Sequence, residues 1–334
     1  MRRVALVALV AAIVMPTLSL AVPRPPEPRL SPERVSALPS YVSKVEPALL
    51  GVKVRAKADA ASSARLGAER FASAVVFDER GFAVTVSYAL MDAVRVEATT
   101  RDNRTVEAAV VGIDHTTGLG VIRLQGGGPW PTARLGHTRD LQTGELTGTV
   151  GVDEDNELVW VTSSVHGLQR FSAYWEYMLD RALFVTPSTA SWGGAAVVDA
   201  RGHVVGIASL RIGDPPHVNL AIPLEKFTEV KDELIAVGRI VSRRPRPWLG
   251  LYTIAIGETV VIDGFAAAGP AREAGFQRGD RIIRVNGVDV RTQEEFYEAV
   301  WRGQAGDVIH VAVVRRNGVH VIPVRSIDRE LSSR

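Results

Sequence analysis

Short runs of apolar and β-branched residues, separated by turn-forming residues, extend along the chain from Tyr41 to about Ile222. Segments such as Glu79-Arg80-Gly81 and Gly126-Gly127-Gly128-Pro129 are typical of the tight turns between them. About a dozen short strands in about 180 residues favour a pair of antiparallel β-barrels over any α/β fold. The runs that predict strands are 50–54, 74–77, 82–86, 94–98, 106–111, 157–161, 183–186, 195–198 and 204–208.

Two segments depart from this strand pattern. Phe171 to Leu179 is rich in aromatic residues, and we interpret it as a short loop or helix that packs on a barrel. Leu224 to Val237 repeats apolar residues at helical spacing, which predicts an amphipathic helix at the end of the domain. The predicted barrel domain therefore covers residues 40–237, and the basic, proline-containing residues 238–247 follow it as a linker.

Residues 248–328 have the pattern of a second, smaller β-rich domain. Asn286-Gly287 is a strong signal for a tight turn between strands. Thr292 is suited to cap a helix that runs from about Gln293 to Trp301, because Glu295 stands at the spacing of a capping box. The remaining strand signals are Thr259–Ile262 and a closing hairpin of 308–314 and 319–324.

The N-terminus has the pattern of an export signal. Arg2 and Arg3 precede an apolar stretch, and Ser19-Leu20-Ala21 offers small residues at a cleavage site, so residues 1–21 predict a signal peptide. The alternative is an uncleaved inner-membrane anchor formed by residues 4–22. Residues 22–39 hold six prolines and predict an extended linker. We therefore expect an exported protein of the periplasm or cell envelope.

Composition excludes several classes of function. The chain has 334 residues and no cysteine, so a disulfide framework and a thiol nucleophile are both excluded. Without residues 1–21, basic and acidic side chains are equal in number, which gives no support to nucleic-acid binding. The seven histidines show no paired spacing of the kind that zinc sites use. Neither G-x-G-x-x-G nor a P-loop follows a predicted strand, and we expect no cofactor and no metal.

The segment from Ser188 to Ile207 contains a glycine pair, Gly193-Gly194, between two short apolar runs. Together with other collinear stretches it makes residues 40–328 resemble the HtrA/DegP family of trypsin-like serine proteases with a C-terminal PDZ domain. The stretches that carry the resemblance are 45–51, 110–124, 133–138, 193–194, 202–207, 219–223, 248–251 and 270–286. The resemblance implies a trypsin-like double β-barrel followed by a PDZ domain.

The same resemblance locates the family's catalytic triad, and each of its positions differs. Tyr88 stands at the histidine, Gly118 at the aspartate and Trp192 at the serine. The mechanism needs a hydroxyl nucleophile, a base and a group that orients the base. Tyrosine is a poor base at neutral pH, glycine has no side chain, and tryptophan offers only an N–H donor. We therefore expect no catalytic residues; Ser191 is the candidate for a rebuilt site, although adjacent side chains on an extended loop point to opposite sides.

Peptide binding remains as the predicted activity. A PDZ domain adds a peptide C-terminus as a strand and holds its carboxylate with backbone N–H groups of a short loop. By resemblance, Trp248-Leu249-Gly250-Leu251 is that loop, and Tyr297 and Val300 on the predicted helix are candidates for the opposite wall.

The favoured function is an inactive, exported HtrA-like protein that binds peptide C-termini or unfolded proteins as an adaptor, a chaperone-like holder or a regulator of active relatives. The resemblance also implies homotrimers through the protease-like domain, with Tyr41 in the contributing region. Two alternatives remain open. One is a serine endopeptidase of envelope quality control that uses Ser191, and the other is a structural envelope protein anchored by its PDZ domain.

Overall fold

The computed structural model describes residues 38–215, 217–267 and 269–332. The predicted signal peptide or anchor and nearly all of the proline-rich linker lie outside these residues. Within them, no helix combines the length and the apolar character needed to cross a membrane. The described chain is mostly β, which confirms the predicted fold class.

The first barrel closes in the order β1-β2-β3-β6-β5-β4, with every neighbouring pair antiparallel. Three short helices accompany it: α1 (Ser40–Val45), which leads through a 3₁₀ turn (Glu46–Ala48) into the barrel, α2 (Ser63–Leu66) and α3 (Ser87–Leu90). Its strands are β1 (Leu49–Ala56), β2 (Glu69–Asp78), β3 (Phe82–Val86), β4 (Ala93–Thr100), β5 (Thr105–Asp114) and β6 (Leu119–Leu124).

The second barrel closes in the equivalent order, β10-β11-β12-β9-β8-β7. Its core is continuous with that of the first barrel, because buried residues of both form one cluster. Two helices, α4 (Glu225–Thr228) and α5 (Lys231–Val237), follow the barrel. Its strands are β7 (Leu146–Val152), β8 (Leu158–Ala173), β9 (Tyr177–Thr186), β10 (Ala196–Asp199), β11 (Val204–Ile212) and β12 (Val218–Pro223).

The C-terminal domain has its own buried core and its own sheet, ordered β14-β15-β16-β18-β19, with β17 paired to β16. Helix α6 (Gln293–Trp301) packs on this core, and β13 (Pro247–Trp248) pairs with β20 (Ile327–Asp328) before α7 (Arg329–Ser332). The remaining elements are β14 (Leu251–Ala255), β15 (Val260–Phe265), a 3₁₀ turn (Pro270–Arg272), β16 (Arg281–Val285), β17 (Val288–Asp289), β18 (Val308–Arg315) and β19 (Gly318–Arg325).

Two sequence predictions are wrong. The aromatic segment from Phe171 to Leu179 is neither a loop nor a helix on a barrel; it forms the ends of β8 and β9, paired through Ala173 and Tyr177. The predicted single helix from Leu224 to Val237 is two helices. Val230 leaves helical geometry at φ −124° and ψ −2°, and each helix buries one large side chain, Phe227 or Leu234.

Helix α6 has the predicted bounds, because its end signals are local. The Thr292 hydroxyl accepts a hydrogen bond from the Glu295 N–H at 3.1 Å, and the Glu295 carboxylate accepts one from the Arg291 N–H at 2.7 Å. This cap fixes the start of the helix.

Candidate functional site

The structure brings the three positions predicted from the triad together at the junction of the two barrels. Tyr88 lies on α3 directly after β3, Gly118 ends the turn before β6, and Trp192 lies in the loop before β10. The Ser87 N–H donates to the Gly118 carbonyl at 2.8 Å. On the other side, a Cβ atom on Gly193 would lie 3.2 Å from the Tyr88 hydroxyl. One cleft therefore holds all three positions.

The Tyr88 hydroxyl is engaged in a structural hydrogen bond. It donates to the carbonyl of Ser209 on β11 at 2.9 Å. Burial raises the pKa of Tyr88 above its ordinary value, since the charged phenolate is poorly solvated there. The side chain is consequently a neutral donor that links the barrels, and its proton already has an acceptor.

The space beside Gly118 is filled by Tyr177 from β9. A Cβ atom at position 118 would lie 2.8 Å from the Tyr177 hydroxyl, and the backbone there has φ +81°. The Tyr177 hydroxyl donates to the Thr117 carbonyl at 2.6 Å. An aspartate at this position would meet both a strained backbone and an occupied space.

Trp192 packs its side chain against the apolar cluster of the second barrel, which includes Val185, Ala195 and Val197. The neighbouring Ser191 is partly buried, and its N–H donates to the Thr189 hydroxyl at 3.3 Å. In the described part of the chain, no hydrogen bond reaches the Ser191 hydroxyl. Among these residues, the Ser191 hydroxyl therefore has no hydrogen-bonded base.

Two histidines, His203 and His115, make contacts away from the triad positions. His203 lies 3.6 Å from Asp199 in the β10–β11 turn. His115 has its backbone N–H bound to Glu330, and burial, with Arg329 near by, lowers the pKa of His115 to about 3. It is therefore neutral near pH 7. Across residues 38–215, 217–267 and 269–332, no group of acidic residues and histidines is arranged to hold a metal ion.

Restoring the aspartate is expected to destabilise the barrel junction. We predict that Gly118→Asp lowers the free energy of unfolding by about 2–4 kcal/mol, because it combines strain at positive φ with a collision at Tyr177. Urea denaturation measures the change. The double variant Gly118→Asp with Tyr177→Ala should lower the free energy of unfolding by less than the sum of the losses in the two single variants. Strict additivity would contradict the proposed collision.

The C-terminal domain contains the second predicted site. The N–H groups of Leu249 and Leu251 both donate to the carboxylate of Glu176, at 3.1 and 2.7 Å. Trp248 and Leu249 are buried, and Gly250 packs against Gly269. The predicted loop thus holds a carboxyl group in this structure, and that group comes from the β8–β9 hairpin.

The two residues predicted on helix α6, Tyr297 and Val300, make different contacts. The Tyr297 hydroxyl donates to the Ala173 carbonyl at 2.6 Å and lies 3.0 Å from the Thr253 hydroxyl. Val300 is fully buried, like Tyr297, and belongs to the same core cluster. Tyr297 therefore contacts the hairpin, and the role of Val300 in the wall stays a prediction.

Sequence reasoning missed Glu176, Tyr177 and Arg329. The Glu176 carboxylate is buried, and Arg329 donates to the Trp175 carbonyl at 3.4 Å. The aromatic residues around Glu176 marked the segment as unusual. No local pattern connects that segment with a loop more than seventy residues further along the chain.

Burial makes Glu176 sensitive to pH. It raises the pKa of Glu176 to about 7, against the opposing effects of the N–H donors and of Arg329. The other titratable groups around this carboxylate and around Arg329 include His115, Tyr177, Tyr252, Tyr297 and Glu330. The unfolded state releases this proton above about pH 4.5, whereas the folded state keeps it up to about pH 7. Protonated Glu176 therefore stabilises the fold fully below about pH 4.5, and this stabilisation is lost as pH rises through about 7.

Glu176→Gln is expected to remove this dependence while keeping one of the two acceptor oxygens. Between pH 5 and 7, the stability of the variant should rise relative to the wild type by up to ~1.4 kcal/mol per pH unit. Urea denaturation of both proteins across this range measures the difference, and contributions from Glu330 and His115 are common to both. Parallel profiles would contradict the raised pKa.

Comparisons with known proteins agree with this architecture. Residues 72–207 match the trypsin-like peptidase domain family and residues 240–324 match the PDZ domain family. The chain is 27% identical over 299 residues to the serine endoprotease DegS of Salmonella typhimurium, covering 82% of this chain and 81% of that protein. It is 27% identical over 267 residues to DegS of Escherichia coli strain K12, covering 73% and 72%.

Solved structures show the same fold. The HtrA-type protease AlgW with a decapeptide matches with a TM-score of 0.55 and 20% identity, over 86% of this chain and 98% of that one. A serine endoprotease from Yersinia pestis matches with a TM-score of 0.55 and 22% identity, over 86% and 96%. The chain therefore consists of a trypsin-like peptidase domain and a PDZ domain, and it is homologous to the DegS and HtrA serine endoproteases.

Proposed function

We propose that this chain is an exported HtrA-type protein that has lost peptide hydrolysis and binds the C-termini of peptides or unfolded proteins through its PDZ domain. It acts as an adaptor, a chaperone-like holder or a regulator, alone, as a homotrimer or with active relatives. Its place is the periplasm or cell envelope. In this proposal the peptidase-like domain spans residues 40–237 and the PDZ domain spans residues 248–328.

The observation that carries the loss of hydrolysis is the filling of the cleft. A nucleophile, a base and an orienting carboxylate must lie within hydrogen-bond reach of one another. At the three positions that the family resemblance assigns to them, this chain has an indole packed on the core, a phenol bound to the Ser209 carbonyl, and a glycine covered by Tyr177. Removing any one member of a working triad costs orders of magnitude in kcat.

The observation that supports peptide binding is the pair of convergent N–H groups on Leu249 and Leu251. They hold a carboxylate in a buried site, as the carboxylate loop of a PDZ domain does for a peptide terminus. One structural relative, the HtrA-type protease AlgW, was solved with a decapeptide. For this chain, a ligand with a free C-terminal carboxylate fits the same loop.

Peptide titration tests this function. A library of fluorescent decapeptides with free C-termini should contain members that bind the full chain, and amidation of the terminus should weaken those members at least about tenfold, because a charge-assisted hydrogen-bond pair is lost. Fluorescence anisotropy gives the dissociation constants. If no peptide binds at millimolar concentration, or if amidated peptides bind equally well, the proposed function is wrong.

A further inference from the structure

The β8–β9 hairpin extends beyond the second barrel and reaches the PDZ domain. Ala173 is paired with Tyr177, so Tyr174, Trp175 and Glu176 form the tip. Glu176 has φ +55°, a left-handed conformation that few residues other than glycine adopt. This backbone turn directs its side chain away from the hairpin and into the loop before β14.

The tip is bound to the edge of the PDZ sheet as a peptide would be. The Glu176 carboxylate accepts from the N–H groups of Leu249 and Leu251, where β14 begins. Two residues earlier in the hairpin, the Tyr174 carbonyl accepts from the Thr253 N–H at 2.9 Å, two residues further along β14. The segment thus runs antiparallel to β14, with its carboxylate in the loop.

Helix α6 contacts the same segment from the other side. The Tyr297 hydroxyl donates to the Ala173 carbonyl, the Ser172 hydroxyl donates to the Glu294 carboxylate, and Arg170 pairs with Glu298 at 2.9 Å. Residues 170–176 therefore contact both walls of the groove, α6 through residues 170–173 and β14 through Tyr174 and Glu176. This is the groove in which the proposed function places a peptide ligand.

The Arg65 side chain makes a further contact at the outer edge of the interface between the hairpin tip and the PDZ domain. The Arg65 guanidinium from α2 lies 4.0 Å from the Tyr252 ring centroid and donates to the Tyr174 hydroxyl at 3.2 Å. Tyr174 and Tyr252 pack edge to face, with their ring centroids 5.5 Å apart. The first barrel, the hairpin and the PDZ domain thus meet at one aromatic cluster.

We propose that residues 170–176 are an intramolecular ligand of the PDZ groove, in which the Glu176 side chain takes the place of a peptide's terminal carboxylate. This inference rests on the proposed function and adds its regulation. A partner with a free C-terminal carboxylate binds by displacing the hairpin tip, so its affinity is reduced by the fraction of molecules whose groove is closed. Because the hairpin is tethered, its effective concentration at the groove is high.

A peptide that competes with the chain's own hairpin tip for the PDZ groove tests this proposal. The probe is a fluorescent nine-residue peptide with the sequence of residues 168–176 and a free C-terminus, and the reference is its amidated form with glutamine in place of the last glutamate. Both are titrated into the full-length wild type and into Glu176→Asn, whose shorter side chain tolerates positive φ and does not reach the loop. Glu157→Asn, an exposed position at the opposite end of β8, is the matched control.

The expected result is that Glu176→Asn binds the free-carboxylate peptide at least about tenfold more tightly than the wild type, while Glu157→Asn matches the wild type. Equal binding by the wild type and Glu176→Asn would overturn the intramolecular ligand and leave the proposed function intact. Binding by neither protein at millimolar concentration would overturn this inference, whereas the peptide library decides the proposed function separately.

Hydrogen exchange on the wild type gives a second test that does not depend on a variant. Without peptide, the amides of 249–253 should be protected. With saturating peptide, those amides should stay protected while the hairpin tip, 174–176, becomes faster to exchange, because it has been released. Unchanged exchange at the tip under saturation would show that the peptide binds elsewhere and would overturn displacement.

Discussion

Replacing Gly194 with alanine is expected to lower the free energy of unfolding by about 4 kcal/mol or more. An added Cβ atom would lie 1.9 Å from the Ser73 carbonyl oxygen and 2.6 Å from the Thr85 hydroxyl. Ser73 cannot withdraw easily, because its N–H donates to the Gly193 carbonyl and its carbonyl accepts from Thr85. The two barrels would have to separate at this junction.

A matched control separates this collision from backbone strain. Gly144 has φ +86°, close to the +82° of Gly194, but a Cβ atom there would meet nothing within 4 Å. Gly144→Ala should therefore cost only about 1–2 kcal/mol. Urea denaturation followed by circular dichroism measures both variants. Similar losses in the two would mean that the conformation of Gly194, and not the close approach of the barrels, demands glycine.

The second large effect is expected at Asp114, which joins the first barrel to the linker. Its buried carboxylate accepts from Arg243 at 2.7 Å, from the Thr117 hydroxyl at 2.9 Å and from the Thr116 N–H at 3.0 Å. Asp114→Ala should lower the free energy of unfolding by about 3–5 kcal/mol, because it leaves a partly buried cation and two donors without their acceptor.

Asp289→Ala is the control for this prediction. Arg284 and Asp289 are only 2.6 Å apart, yet their side chains are 49% and 71% exposed, whereas that of Asp114 is 2% exposed. Because solvent screens this exposed pair, Asp289→Ala should lower the free energy of unfolding by about 1 kcal/mol or less. Thermal unfolding of both variants measures the contrast. Equal losses would contradict the view that burial, and not distance, decides the strength of these pairs.

Local signals were sufficient to predict much of the secondary structure. β3 has the predicted bounds, 82–86, and α6 has the predicted bounds, 293–301. The Asn286-Gly287 turn joins β16 to β17, with both residues at positive φ. In each case the residues that decide the structure are neighbours in the sequence.

The sequence predictions failed where residues that are distant in the sequence determine the local structure. The aromatic segment 171–179 forms a strand pair through its own ladder, from Phe171 and Leu179 to Ala173 and Tyr177. Thr253 and Tyr297 of the PDZ domain, which are distant in the sequence, bind carbonyls of this segment. The resemblance identified Gly118 as the aspartate position, but Tyr177, which fills the space beside it, lies on another barrel. No sequence pattern links those two residues, since their contact exists only after both barrels have formed.

The proposed loss of hydrolytic activity can be tested directly by a cleavage assay. Purified full-length protein and Ser191→Ala are incubated with fluorescence-quenched casein and with a chemically unfolded protein, with trypsin as the positive control. We expect no hydrolysis above buffer for either protein, because the cleft holds no nucleophile with a base. Reproducible cleavage by the wild type that is lost in Ser191→Ala would contradict this expectation and would establish a serine endopeptidase with a rebuilt site.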